Sequence, residues 1–190
     1  MPKLWTDTIE AHRKAVREAA LDAAAALVEA HGLTGVTMSA IAEKSGIGRA
    51  TLYKYFPDID AVLIAWHERQ IGGHLDHLER VAGQGGTPRQ RLEVALTAYA
   101  RLAHGHGGGD IVSMLHQGAH LATAQSRLTG FVAELIEQGQ AAQELRADMP
   151  AAELGSYCLH ALGAAGASQA PAVTRRLVAV ILAGLEPPAV

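Results

Sequence analysis

Cysteine is almost missing: Cys158 stands alone among 190 residues. That excludes an intramolecular disulfide framework and a Cys-rich zinc module, and it fits a reducing compartment. Aromatic residues make up only 4% of the chain and charged residues 18%, so any core must be built from aliphatic side chains. No stretch approaches the ~18 uninterrupted apolar residues of a membrane span. The opening Met1-Pro2-Lys3-Leu4-Trp5-Thr6-Asp7 is followed at once by acids and a His-Arg-Lys run, unlike a secretory signal. A cytoplasmic chain with no membrane partner is expected. Alternating β-branched runs flanked by hairpin turns are absent as well, which argues against a sheet.

Enzyme signatures are also lacking. There is no Gly-x-Ser-x-Gly elbow, and His67-Glu68-Arg69-Gln70-Ile71 lacks the second His of a zincin. Gly46-Ile47-Gly48 has no third Gly of a dinucleotide loop, and Gly107-Gly108-Gly109 is not followed by the Lys-Ser/Thr of a phosphate loop. Cys158 lies in an apolar helical stretch with His160 on a different face, so a thiolate nucleophile is not expected. Neither an enzyme activity nor a cofactor is implied.

What the chain does have is apolar content, 49% of it and much of that Ala, which suits closely packed helices. Asp7-Thr8-Ile9-Glu10 reads as a capping box opening a long helix that Gly32 stops. Thr37 or Ser39 caps a short helix from about Met38 to Ser45, and another runs from about Arg49 to Phe56. Pro57-Asp58 breaks that one, and Asp58 caps a helix over about Ile59 to Val81. After Gly83-Gln84-Gly85-Gly86, Thr87-Pro88 opens a helix to about Ala103. Asp110 opens a short one to about Gln117, and Ala119 to Gln140 reads as a longer one. Pro150 and Pro171 open the last two, to about Ala167 and Leu185. The expected fold is all-α with about nine helices, and there are no internal repeats.

Net charge is −3 overall, −1 in residues 1–60 and −2 beyond. The window Lys44 to Lys54 nonetheless holds Lys44, Arg49 and Lys54 without an acid, a local patch able to grip phosphates although the whole molecule repels them. The two short helices and the Gly-containing turn between them have helix-turn-helix spacing. Ile41, Ala42, Ile47, Leu52 and Phe56 supply an inner face, and Gly46 supplies the positive φ of the turn. The outer face of the second helix shows Arg49, Ala50, Thr51, Tyr53, Lys54 and Tyr55, groups that bond phosphates and base edges. A plain surface helical hairpin is the competing interpretation.

Residues 32–66 closely resemble the N-terminal domain of TetR-type (TetR/AcrR) transcriptional repressors. Gly32, Thr37, Ile41-Ala42, Ser45-Gly46-Ile47 and Thr51-Leu52-Tyr53-Lys54-Tyr55-Phe56-Pro57 carry the likeness. The resemblance implies a helix-turn-helix head over residues 1–57 and a larger effector-binding and dimerisation body over 58–190. It implies that Thr37 bonds a phosphate and that Gly48, Arg49, Ala50 and Thr51 enter the major groove. Arg49 would be the bidentate contact to guanine, Tyr53 and Lys54 would hold phosphates, and Tyr55 would meet base edges or a thymine methyl. Three positions depart from the pattern. Ala40 replaces an acid and removes a capping box, Gly48 replaces a hydroxyl residue, and Phe56-Pro57-Asp58-Ile59-Asp60 lacks a phosphate-binding Lys. Weaker non-specific affinity than usual is therefore expected.

By the same resemblance, the last helix pair would form a four-helix interface in a homodimer, with Leu154, Tyr157, Cys158, Ala161 and Leu162 on one helix and Leu177, Val180 and Ile181 on the other. Two heads about one DNA turn apart, ~34–36 Å, would read a near-palindromic double-stranded operator. Trp66, Tyr99, Met114, Leu115, His116 and Phe131 fall on the helices that enclose the family's effector pocket. An apolar pocket suits a small lipophilic effector, whose binding would move the heads off operator spacing. Taken singly, each of these residues reads as ordinary core sooner than as a ligand contact. One rival is a Zn²⁺- or Ni²⁺-responsive regulator built on His104, His106, His116 and His120, with His74 and His77 a further helical pair. The other is a helical scaffold that has lost its operator.

Overall fold

The computed structural model of the chain describes residues 3–104, 119–165 and 170–188. Eight α-helices lie within them, with no strand among the described residues. They are α1 (Lys3–His31), α2 (Met38–Ser45), α3 (Arg49–Tyr55), α4 (Ile59–Ala82), α5 (Pro88–His104), α6 (Ala119–Ala141), α7 (Ala151–Leu162) and α8 (Pro171–Gly184). Single 3₁₀ turns follow α1 at Leu33–Gly35 and α7 at Gly163–Ala165. The short helix expected from Asp110 lies outside the described residues.

Local signals set most of the boundaries. Gly32 takes φ 70° and ψ 175° just after α1, a region open essentially only to Gly. Thr37 Oγ1 accepts the Ala40 amide at 3.1 Å to start α2, and Asp58 Oδ1 accepts the Ala61 amide at 2.8 Å to start α4. Before α5 the bonding is reciprocal: the Thr87 amide donates to Gln90 Oε1 at 3.0 Å, and the Gln90 amide to Thr87 Oγ1 at 3.4 Å. Two boundaries differ from expectation. α1 begins at Lys3, ahead of the Asp7–Glu10 box, because a cap contributes only ~1 kcal/mol and nothing in residues 3–6 breaks a helix. α7 stops at Leu162 and tightens into a 3₁₀ turn at Gly163 rather than continuing to Ala167, since Gly there favours leaving the helix.

The described residues fall into two compact units, one up to Gln70 and one from Ile71 on, with α4 contributing to both. The first, the head, closes around Ala20, Ala24 and Leu27 of α1, Ile41 of α2, Leu52 of α3, Phe56, and Val62 and Leu63 of α4. Arg69 on α4 binds two acids of α1 at once, Glu18 Oε2 at 2.9 Å and Asp22 Oδ1 at 2.8 Å. Burial works against the charged guanidinium, but its hydrogen bonds to the two carboxylates outweigh that and raise its pKa.

In the second unit, the body, α6 packs on α5 and α7, and α8 packs on α5 and α7. Leu92, Leu96, Leu135, Ile136, Leu145, Ile181 and Leu185 are fully buried. Small residues permit the close approaches. A Cβ on Gly139 would sit 2.5 Å from Leu145 Cδ1, and one on Gly155 would lie 3.4 Å from the Ala133 amide nitrogen. Arg146, between α6 and α7, clasps the end of α8: its amide donates to Leu185 O at 2.8 Å and its Nη1 to Gly184 O at 3.1 Å.

Four of the eight residues expected to meet a second copy do not present surface. Leu154, Cys158, Leu162 and Ile181 are at most 3% exposed and belong to the body's own core. The apolar stripe on each helix is wider than one interface needs, and its inner half faces the neighbouring helices of the same chain. Tyr157 and Val180 are exposed, while Ala161 and Leu177 are half-buried.

Candidate nucleic-acid interface

The geometry of the head starts at the turn between α2 and α3. Gly46 takes φ 70° and ψ 11°, the left-handed conformation that only Gly adopts without strain. The Ser45 hydroxyl donates to Ile41 O at 2.6 Å and accepts the Ile47 amide at 3.3 Å, so one side chain closes α2 and shapes the turn beyond it. Sequence reading saw Ser45 as part of a pattern but missed this role. The signal was there, since Ser commonly bonds backbone groups beside a turn. Gly48 O then accepts the amides of Thr51 and Leu52 at 2.9 and 3.0 Å, which starts α3.

With α3 seated this way, Leu52 and Phe56 are buried at 0% and 1% exposure. The opposite face is open: Gly48, Arg49, Ala50 and Lys54 are exposed, and Tyr53 is 52% exposed. Thr51 and Tyr55 are half-buried, and Tyr55 packs against the head's core, so only part of its ring remains for a ligand. Thr37 is exposed, and its hydroxyl oxygen accepts the Ala40 amide, which leaves its O–H to donate. Among the described residues neither Arg49 nor Lys54 has a carboxylate within ion-pair distance. The result is a cationic face on a short helix whose own partners leave it unneutralised, the arrangement that binds a polyanion.

The other expected site residues are less concentrated. Trp66 packs against the head's core, and its indole N–H is buried without a partner among the described residues. Tyr99 and Phe131 pack against the body's core, where burial raises the Tyr99 pKa. Met114, Leu115, His116 and His106 lie outside the described residues, as do the side chains of His104 and His120. Of the other helical His pair, His77 Nδ1 lies 3.3 Å from Arg80 Nη1. Among the described residues no group of three or more His, Cys, Asp or Glu gathers as a metal site. The Cys158 thiol is buried, which pushes its pKa up to about 12, so it stays protonated. Among the described residues no helix is long and apolar enough to cross a membrane.

A three-helix head with this turn and this cationic helix is a helix-turn-helix domain. Residues 20–66 match the family of bacterial regulatory proteins, tetR family, so this stretch is similar to the N-terminal domain of that family. Over 76 residues it is 37% identical to the HTH-type transcriptional repressor KstR of Mycolicibacterium smegmatis, a stretch covering 40% of this chain and 37% of that one. The chain spans a third to a half of the length of the sequence relatives it matches. Likeness of fold extends much further. FadR of Bacillus subtilis, solved in complex with stearoyl-CoA, superimposes with a TM-score of 0.63 at 13% identity, over 89% of this chain and 99% of that one. A protein of unknown function from Rhodococcus sp. RHA1 does so with a TM-score of 0.71 at 19% identity, over 89% and 94%. The all-helical fold of these structures therefore holds along most of the chain.

Proposed function

We propose that this chain is a ligand-responsive transcriptional repressor that binds a near-palindromic double-stranded operator as a homodimer in the cytoplasm and is released by a small apolar effector. The observation that carries the reading is the exposed, acid-free face of α3, with Arg49, Tyr53 and Lys54 held outward by the buried Leu52 and Phe56. In this reading residues 1–57 are the DNA-binding head and residues 58–190 the effector-binding and dimerising body, with no catalytic role. Arg49 reads a base edge while Tyr53 and Lys54 grip phosphates. Tyr157 and Val180 meet the second copy, with Leu177 and Ala161 at the margin. The apolar character of the effector is supported by the aliphatic body around Tyr99 and Phe131, and by the stearoyl-CoA in the Bacillus subtilis structure of like fold.

Fluorescence anisotropy on labelled duplexes from the region flanking the coding sequence, at two salt concentrations, tests this. The wild type should bind one duplex tightly and salt-sensitively, and the Tyr53→Ala/Lys54→Ala double variant should lose roughly a hundredfold or more, since each group contacts DNA in both subunits. Equal, weak binding by both proteins to every duplex, with no fragment enriched in a genome-wide selection, would sink the reading and leave a scaffold without an operator.

A further inference from the structure

The corner where α3 meets α4 looks badly charged for a DNA-binding head. Pro57, Asp58, Ile59, Asp60 and Ala61 include two acids and no cation, and a duplex lying along α3 brings its phosphates toward that corner. The cation found there comes from α1. The Arg17 guanidinium carbon lies 5.0 Å from the centroid of the Phe56 ring, and Arg17 is exposed while Phe56 is 1% exposed.

A guanidinium over a ring is attracted to the ring's face without forming a hydrogen bond. The group carries five N–H donors in a fixed fork. Among the described residues Arg17 makes no hydrogen bond and no ion pair. The acids that follow it on α1, Glu18 and Asp22, are both bound to Arg69 and do not compete for it. Arg13 and Lys14 lie four and three residues before Arg17, on the same helix face by spacing and about 4.5–6 Å along the axis. Both are exposed and unpaired among the described residues, as is Glu10 one turn further back.

We infer that Arg17, pre-oriented on the Phe56 ring and seconded by Arg13 and Lys14, is a further phosphate-binding residue that clamps the DNA backbone beside α3. The inference rests on the operator-binding reading above. It replaces the cation missing from the α3–α4 corner with one from a different helix. A planar fork matches a phosphate bidentately, and because it touches no base it adds affinity for every sequence alike.

The test is anisotropy with a labelled duplex from the flanking region and an unrelated duplex of equal length, each titrated with salt. Arg17→Met keeps an apolar stem over the ring and removes the charge. It should weaken both duplexes by a similar factor, about fivefold to tenfold, and reduce the slope of log affinity against log salt by about 0.9 per subunit. Arg17→Lys should keep most of that slope. Arg13→Gln/Lys14→Gln should act in the same sense and less strongly. Were Arg17→Met to lower the melting temperature yet leave affinity and slope unchanged, Arg17 would be packing only. The inference would then fall while loss of binding in Tyr53→Ala/Lys54→Ala kept the operator reading. Failure of every protein, wild type included, to bind either duplex would remove both.

Discussion

The head and the body carry different kinds of information. In the head, a turn, an exposed cationic helix and its buried anchors all lie between Thr37 and Phe56, so spacing along the chain is also spacing in space. The body is assembled from α5 to α8 with part of α4, through contacts whose partners are far apart in sequence. Its function would lie in the shape of a space rather than in a string of residues. A sequence can therefore announce a helix-turn-helix while staying silent on the shape of the unit that follows it along the chain.

Core truncations probe the two units with the largest effect on stability. Leu52 and Leu96 are each 0% exposed, so Leu52→Ala and Leu96→Ala should each cost about 2–5 kcal/mol. Urea unfolding measures this, and duplex binding by the fraction still folded sharpens the contrast. Leu52→Ala should weaken binding beyond its loss of stability, because Leu52 seats the helix that carries Arg49, Tyr53 and Lys54. Leu96→Ala should not. Equal behaviour of the two would break the division of labour proposed here.

A smaller effect separates close packing from open glycine. At Gly139 an added methyl meets Leu145 Cδ1 at 2.5 Å, whereas at Gly130 it meets nothing within 4 Å. Gly139→Ala should cost about 1–3 kcal/mol by overpacking, and Gly130→Ala should stabilise by about 0.5–1 kcal/mol through helix propensity. Thermal melts of the pair check the sign. The smallest effect belongs to the head's ion-pair tie. Arg69→Gln should cost about 0.5–1 kcal/mol, since its side chain and those of Glu18 and Asp22 are 30%, 45% and 73% exposed and screened by water. The loss should shrink in high salt, and a double-mutant cycle with Asp22→Asn isolates it.

Most helix ends could be read from the chain because local chemistry sets them: Thr37, Asp58 and Thr87 cap, and Gly32 and Gly46 terminate. The head's exposed face followed from the same logic, with Arg49, Tyr53 and Lys54 on one side and Leu52 and Phe56 on the other. Tyr55 was harder, since a residue at the edge of a helical stripe can turn either way. The Arg69 tie spans 47 and 51 residues, and no local pattern pairs such positions, although Glu18 and Asp22 at helical spacing mark a paired acidic face. Leu154, Cys158, Leu162 and Ile181 show the limit most clearly. An apolar stripe says that a face is covered, not whether its own chain or a second copy covers it.

The Arg146 clasp sets an order of events during synthesis. Every residue of the head's core lies between Ala20 and Ala65, so those side chains are all present once the ribosome has passed Gln70. The body cannot close so early, because the backbone amide and guanidinium of Arg146 find their acceptors only at Gly184 and Leu185, and Leu185 is itself fully buried. A growing chain of this kind has every core residue of its first unit in place while the second still waits for α8.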